Sequence, residues 1–359
     1  MRSRHPYLGL PDRQFWKKEP GINDPAQFDP VSDAPFRLTR GAKLVTAGSC
    51  FAQHVGRHLA GQGYHHFITE PAHPMFPPQI AAEFNYGMFS ARYGNVYTAR
   101  QLLQLLQRAY GVFVPRAVSW PKGQGDRVVD PFRPQIQPEG FVSETELGVD
   151  RTQHFAAIRA AVEGMEVFIF TLGLTEAWED TRDGAVFPLA PGVVGGVWEP
   201  GVTRPLNFDE TKTAADLIAA LTFIRERNPG VKIMLTVSPV PLNATFEDRH
   251  VFVSTTWSKA VLRIAAEKAV RALPEVVYFP SYEIITAPHV RGRYFAKDCR
   301  EVLPAGVDHV MGVFLRHFGE EGGAAPALPE SGTEEVEQRQ AAAEAVLDIL
   351  CDEQAISNE

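Results

Sequence analysis

Short runs of Val, Ile, Leu and Phe recur along the chain without polar alternation, and most are followed by a stretch with helical spacing. KLVTAG (43–48) leads into CFAQHVGRHLAGQG, where Phe51, Val55 and Leu59 recur every four residues, as on an amphipathic helix. HHFIT (65–69) predicts a second strand, VFIFTL (167–172) a third, VKIMLTVS (231–238) a fourth and VVYFPS (276–281) a fifth. Helices are predicted over 98–111, with Thr98 as N-cap and Gly111 as stop, and over about 150–164. Further helices are predicted over about 213–227, ending at Asn228-Pro229-Gly230, and over 258–273 and 306–319. Unbroken apolar runs suit strands covered on both faces. Their alternation with helices predicts an α/β protein with an open, doubly wound, mostly parallel five-stranded sheet.

The flanks read differently. Residues 1–40 are rich in Pro, Asp and Arg and predict an irregular arm over an α/β domain of residues 41–320. Residues 321–359 hold a Pro/Gly/Ser linker and then EEVEQRQAAAEAVLDIL, a helix expected to face solvent or to mediate oligomerisation. Two insertions, about 112–150 and 179–212, are too long to be connectors and are expected to shape a site or a partner surface.

A formal charge of -8 argues against nucleic acid as partner, because phosphate binding needs an excess of Lys and Arg. Cys50, Cys299 and Cys351 are odd in number and unclustered, which describes neither a disulfide framework nor a zinc site. The basic N-terminus lacks an apolar run behind it, and no stretch approaches the ~18 apolar residues of a membrane span. A cytoplasmic location is therefore expected. No cofactor is expected either, since the turn after the first strand, AGSCFA, lacks the glycines of a dinucleotide fingerprint.

In an open parallel sheet, ligands bind outside the carboxyl ends of the strands. Gly48-Ser49-Cys50 falls there, between the first strand and its helix. Gly48 permits a tight turn, and Ser49 at a helix N-terminus would meet amides and a dipole that favour developing negative charge. Its own N–H could serve an oxyanion hole. The bland alternative is a serine that only caps the helix. Cys50 at the same terminus is a second candidate nucleophile, as a stabilised thiolate.

GSCFA (48–52), FNYGMFSARYGNVYTARQLLQL (84–105), FTLGLTEAW (170–178) and LTVSPVPLNAT (235–245) together resemble the GSCFA family, over about Gly41 to Phe318. That family is related to the SGNH (GDSL-like) esterases and acyl hydrolases. The resemblance implies a flavodoxin-like three-layer fold and Ser49 as a nucleophile acting on a small or carbohydrate O-acyl ester, as hydrolase or acyltransferase. SGNH enzymes complete the oxyanion hole with a Gly and an Asn, and here Gly94, Asn95, Gly173 and Thr175 match by order. Glu176 and Trp178, on the loop after the third strand, would line the site, and Ser238-Pro239-Val240-Pro241 would shape it.

The general base is harder to place. SGNH enzymes carry Asp and His three residues apart before the last helix. Asp298 fits, but Glu301 stands where histidine is expected. His309 follows two helical turns later, a rise of about 11 Å. Glu301 could serve if burial raised its pKa. His54 and His58 lie four apart without a third metal ligand, so no metal is expected; His65, His66, His73, His250 and His289 carry no triad context. The missing histidine motivates an alternative from another class, a glycan- or ligand-binding protein of this fold that has lost catalysis.

Overall fold

The computed structural model describes residues 5–320 and 355–356. The elements are, in order, β1 (Leu44–Gly48), α1 (Cys50–Gly61), α2 (Pro78–Glu83), α3 (Ala99–Ala109), β2 (Trp120–Pro121), β3 (Val128–Val129) and α4 (Glu144–Gly164). They continue with β4 (Val167–Leu172), β5 (Glu176–Asp180), β6 (Val186–Phe187), β7 (Thr203–Asn207) and α5 (Glu210–Arg227). The last are β8 (Lys232–Val237), α6 (Val251–Ala272), β9 (Val276–Tyr278), α7 (Ser281–Thr286) and α8 (Pro304–Phe318).

A parallel sheet in the order β1-β4-β8-β9 forms the centre. Successive strand residues face opposite sides, as the pleat requires. Phe168, Phe170 and Leu172 of β4 pack with α3, α4, α5 and α6, while Val167 and Ile169 pack with α1, α7 and α8. Both faces are covered, so the strand is apolar at every position but Thr171, which is itself buried. The chain is thus α/β, as its pattern predicts, but the sheet has four strands and not five. HHFIT contributes a single parallel bridge, His66 to Leu44, because the His66 ring turns to Thr46 and Ser90 and the segment leaves at once.

The insertions are built as small sheets. β2 and β3 form an antiparallel pair, and β5 pairs antiparallel with both β6 and β7. The arm runs in short 3-10 turns and then joins the core: Leu38 is buried and donates its N–H to the Phe318 carbonyl, and Asp29 pairs with Arg316 and His317. The expected C-terminal linker and helix lie outside the described residues.

A buried ion network fastens the first insertion. Arg133 bonds Asp130 (3.1 Å) and Asp150 (2.7 Å), Arg92 bonds Asp150 (2.9 Å), and Arg151 reaches Asp130 (3.4 Å). Glu70 accepts from the Arg92 amide and from His154 Nδ1 (2.8 Å). Burial works against ionisation of Asp130, yet Arg133, Arg151 and Arg108 hold its carboxyl well below the usual range. Burial, and then the Arg133 charge, push His154 down to about 4 despite Glu70 beside it. The pair is therefore a neutral imidazole donating to a carboxylate.

This predicts acid sensitivity with a defined sign. The unfolded chain takes up a proton at His154 as pH falls below about 6.5, and the folded chain does not until about 4. Stability from this group is thus complete above the unfolded value and declines between the two, by about 2 kcal/mol at pH 5. His154→Gln, which keeps a donor for Glu70, is expected to flatten the loss of urea stability between pH 7 and pH 4.5. Parallel curves for variant and wild type would assign the effect elsewhere.

Candidate functional site at the carboxyl edge of the sheet

Every residue of β1 is buried, and the strand ends on a residue that only glycine can supply. Gly48 has φ +138°, and a Cβ there would stand 2.2 Å from the Thr171 carbonyl oxygen of β4. The missing side chain lets β1 and β4 close together at their carboxyl ends. The Ser49 N–H then donates to Thr171 O (3.2 Å), and the Gly48 carbonyl accepts from the Val96 N–H (2.8 Å).

Ser49 occupies the N-cap position of α1 with extended backbone, φ -73° and ψ 178°. Its hydroxyl does not cap the helix and has no hydrogen-bond partner, although the residue is only 2% exposed. The simple capping role is therefore not what this serine does. Thr171 Oγ1, on the neighbouring strand, is likewise buried and unbonded.

Loops after β4 and β8 and the segment before α3 close over Ser49. Tyr97, Gly173, Leu174, Ser238, Val240 and Leu242 line, with Cys50 and Pro241, a recess of about 10 Å³, room for one water. A Cβ on Gly173 would stand 2.9 Å from the Ser49 Cβ. The Tyr97 carbonyl accepts from the N–H groups of Gly173 (3.0 Å) and Leu174 (3.3 Å). From α6, the Lys259 ammonium donates to the Gly173 carbonyl (2.7 Å), and Ser258 Oγ accepts from the Thr175 N–H (3.1 Å).

The sequence profile of the GSCFA family matches residues 43–314, more than half of the chain, and begins at the strand that delivers Ser49. The chain belongs to the GSCFA family. No curated protein matches it in sequence.

In this GSCFA chain, the residues singled out from the sequence are distributed as follows. Gly173 touches Ser49, and Ser238, Val240 and Pro241 line its recess, but the amides expected to serve an oxyanion are engaged: Ser49 N–H on Thr171 O, and Gly173 N–H on Tyr97 O. Gly94 forms a left-handed turn, φ +68°, and Asn95 is buried against Gln53, lining a separate cavity with Gln101 and Arg108. Thr175 donates its hydroxyl to Asn207. Glu176 and Trp178 are on β5 and not on a loop. Glu176 accepts from Thr245 and from the Phe246 N–H, and burial raises its pKa; Trp178 packs edge-on against Trp198 and Phe246.

None of the three candidate bases lines the recess. Asp298 is exposed and accepts from the N–H groups of Arg300 and Glu301, inside a turn closed by a bridge between Phe295 and Val302. Glu301 is exposed. His309 is buried on α8 with Nδ1 bonded to the Tyr294 hydroxyl (2.7 Å), and the charges around it, Asp24, Asp29 and Arg316, belong to the arm and its contact. Cys50 is buried and its side chain lines the same recess. Burial, then Arg57, push His54 down to about 4, and burial lowers His58; among the described residues no cluster of three His, Cys, Asp or Glu could hold a metal. A much larger cleft, about 900 Å³, lies between the arm and the 283–289 segment, away from Ser49.

Sequence reasoning passed over Tyr97 and Lys259. Lys259 carries a readable signal, a lysine on the face of α6 that also presents Leu262 and Ala266 to the core. Tyr97 carries none, since it acts through its backbone.

Two stability outcomes follow. Ser49→Ala removes a buried hydroxyl without a partner, so urea unfolding should show a chain unchanged or firmer by about 1 kcal/mol. A clear loss would mean that the hydroxyl is bonded. Gly48→Ala drives a methyl into Thr171 O at a positive φ and should destabilise by about 3 kcal/mol or more, or abolish folding. A variant melting with the wild type would disprove the close approach.

Proposed function

We propose that this GSCFA protein is a serine-dependent acyl-ester hydrolase or acyltransferase of SGNH type, with Ser49 as nucleophile and a small or carbohydrate O-acyl ester as substrate. The observation that carries this reading is the Ser49 hydroxyl, buried at the sheet's carboxyl edge yet neither capping α1 nor bonded to anything. A buried unpaired hydroxyl costs about 1–3 kcal/mol, and function gives a reason to keep it. Counting the His66 bridge as a vestigial second strand gives the order 2-1-3-4-5, which supports the flavodoxin-like comparison. Cys50 and Cys299 are in no disulfide, which fits a cytoplasmic setting.

In the proposed reaction, Ser49 Oγ adds to the ester carbonyl while its proton passes to water. The alcohol leaves with a proton, and water or a second alcohol then takes the acyl group. No imidazole or carboxylate bonds Ser49, so the general-base contribution of about 10²–10⁴-fold is missing and slow turnover is expected.

That same absence favours a second reading, a non-catalytic protein that binds a glycan or acylated ligand at this edge. A fluorophosphonate probe and short-chain aryl esters separate the two. The enzyme reading expects a covalent adduct at Ser49 and slow hydrolysis, both lost in Ser49→Ala. No adduct, or hydrolysis unchanged in Ser49→Ala, would leave the binding reading.

A further inference from the structure

The most unusual charged residue in the molecule is remote from Ser49. Arg108, on α3, is 6% exposed, yet its guanidinium makes no hydrogen bond and no ion pair within the described residues, and its Nε is buried without a partner. Its guanidinium is held between two rings, 3.5 Å from the Phe132 centroid and 5.2 Å from that of Phe155. Burial pushes it down to about 9, which still leaves it protonated at neutral pH.

The charge of Asp130 favours its cationic form, while those of Arg151 and Arg133 oppose it. Arg92, Arg133 and Arg151 are already matched by Glu70, Asp130 and Asp150, and His154 is neutral, so the network carries one cation in excess. A buried cation without an acceptor is among the costliest arrangements a fold can keep.

Arg108 and Arg151 lie at the wall of a pocket of about 150 Å³ whose remaining lining is apolar, including Phe113, Val114, Val118 and Phe155. Val114 and Val118 are 81% and 51% exposed, so this side opens to solvent. The volume matches a cavity that accepts one benzene ring. The pocket shares no lining residue with the Ser49 recess.

We infer that this pocket is a binding site for a small organic carboxylate, its carboxylate on Arg108 and its apolar portion against Phe113, Val114 and Phe155. A guanidinium fork fits a planar carboxylate, and the apolar walls suit a hydrocarbon tail. Inorganic phosphate fits worse, since its remaining oxygens would face Val and Phe without donors. The site is independent of what Ser49 does.

Calorimetry with sodium benzoate and sodium hexanoate, against sodium chloride and sodium phosphate at matched ionic strength, tests this. Saturable binding of the two organic acids in about the millimolar range is expected. Arg108→Met should weaken it at least about tenfold, as should Val114→Glu, which adds a repelling charge at an exposed position and leaves the fold alone. Ser49→Ala should bind as the wild type does, so that failure of this site and failure of the Ser49 chemistry are told apart. Absence of saturation, phosphate binding as tightly as benzoate, or wild-type affinity in Val114→Glu would each overturn the assignment.

Discussion

The carboxyl edge of the central sheet depends on a hydrogen atom standing where other residues carry a Cβ. At Gly48 the chain adopts φ +138° against the Thr171 carbonyl, and no other residue could occupy that gap. Three features are consequences. β1 stays paired with β4 to its last residue, the Ser49 amide finds the Thr171 carbonyl, and the 93–98 segment anchors on the Gly48 carbonyl through Val96. The serine is therefore placed by backbone geometry before any side chain takes part.

The loops above it are interlocked in the same way. Tyr97, Gly173, Leu174 and Lys259 hold one another through carbonyls and donors, and Ser258 binds the amide of Thr175. What stays outside this web is the hydroxyl. Polar groups in native interiors are nearly always paired, so a buried Ser49 Oγ beside a buried Thr171 Oγ1, both unpaired, marks a place where packing has not been optimised for stability alone. The segment that would carry a base in an SGNH enzyme is instead folded on itself: Asp298 satisfies its own turn, and Glu301 faces solvent.

The central strands could be read from sequence because burial on both faces leaves VFIFTL and its equivalents dominated by apolar residues, with a single threonine in each of β1, β4 and β8. HHFIT failed for the opposite reason, its histidine being recruited to Thr46 and Ser90. Helices α4 and α5 begin several residues before the apolar periodicity, at the N-caps Ser143 and Asp209, because their first turns are polar; α6 begins early too, at His250, but its first turn is apolar, with Phe252 and Val253 exposed. The β5–β7 sheet was hidden inside a Pro- and Gly-rich insertion, where Pro205 can sit on an edge strand without losing a ladder bond. Ser49 was legible from position. Its surroundings were not, since the partners of Gly173 and Thr175 come from α6, more than eighty residues away in sequence.

The 92–98 stretch ties the buried ion network to the wall of the Ser49 recess. Arg92 is fixed in the buried ion network, the Tyr93 hydroxyl donates to the Thr46 carbonyl, and the Tyr97 and Thr98 amides both bond the Gln101 side chain of the α3 capping box. Moving Tyr97 aside would break its amide's bond to Gln101 and its carbonyl's bonds to Gly173 and Leu174 at once. The opposite wall, 239–242, is tied more lightly: Leu242 donates to Thr255 Oγ1, and the Val240 amide bonds only the neighbouring Ser238 hydroxyl. Two prolines stiffen that wall without anchoring it.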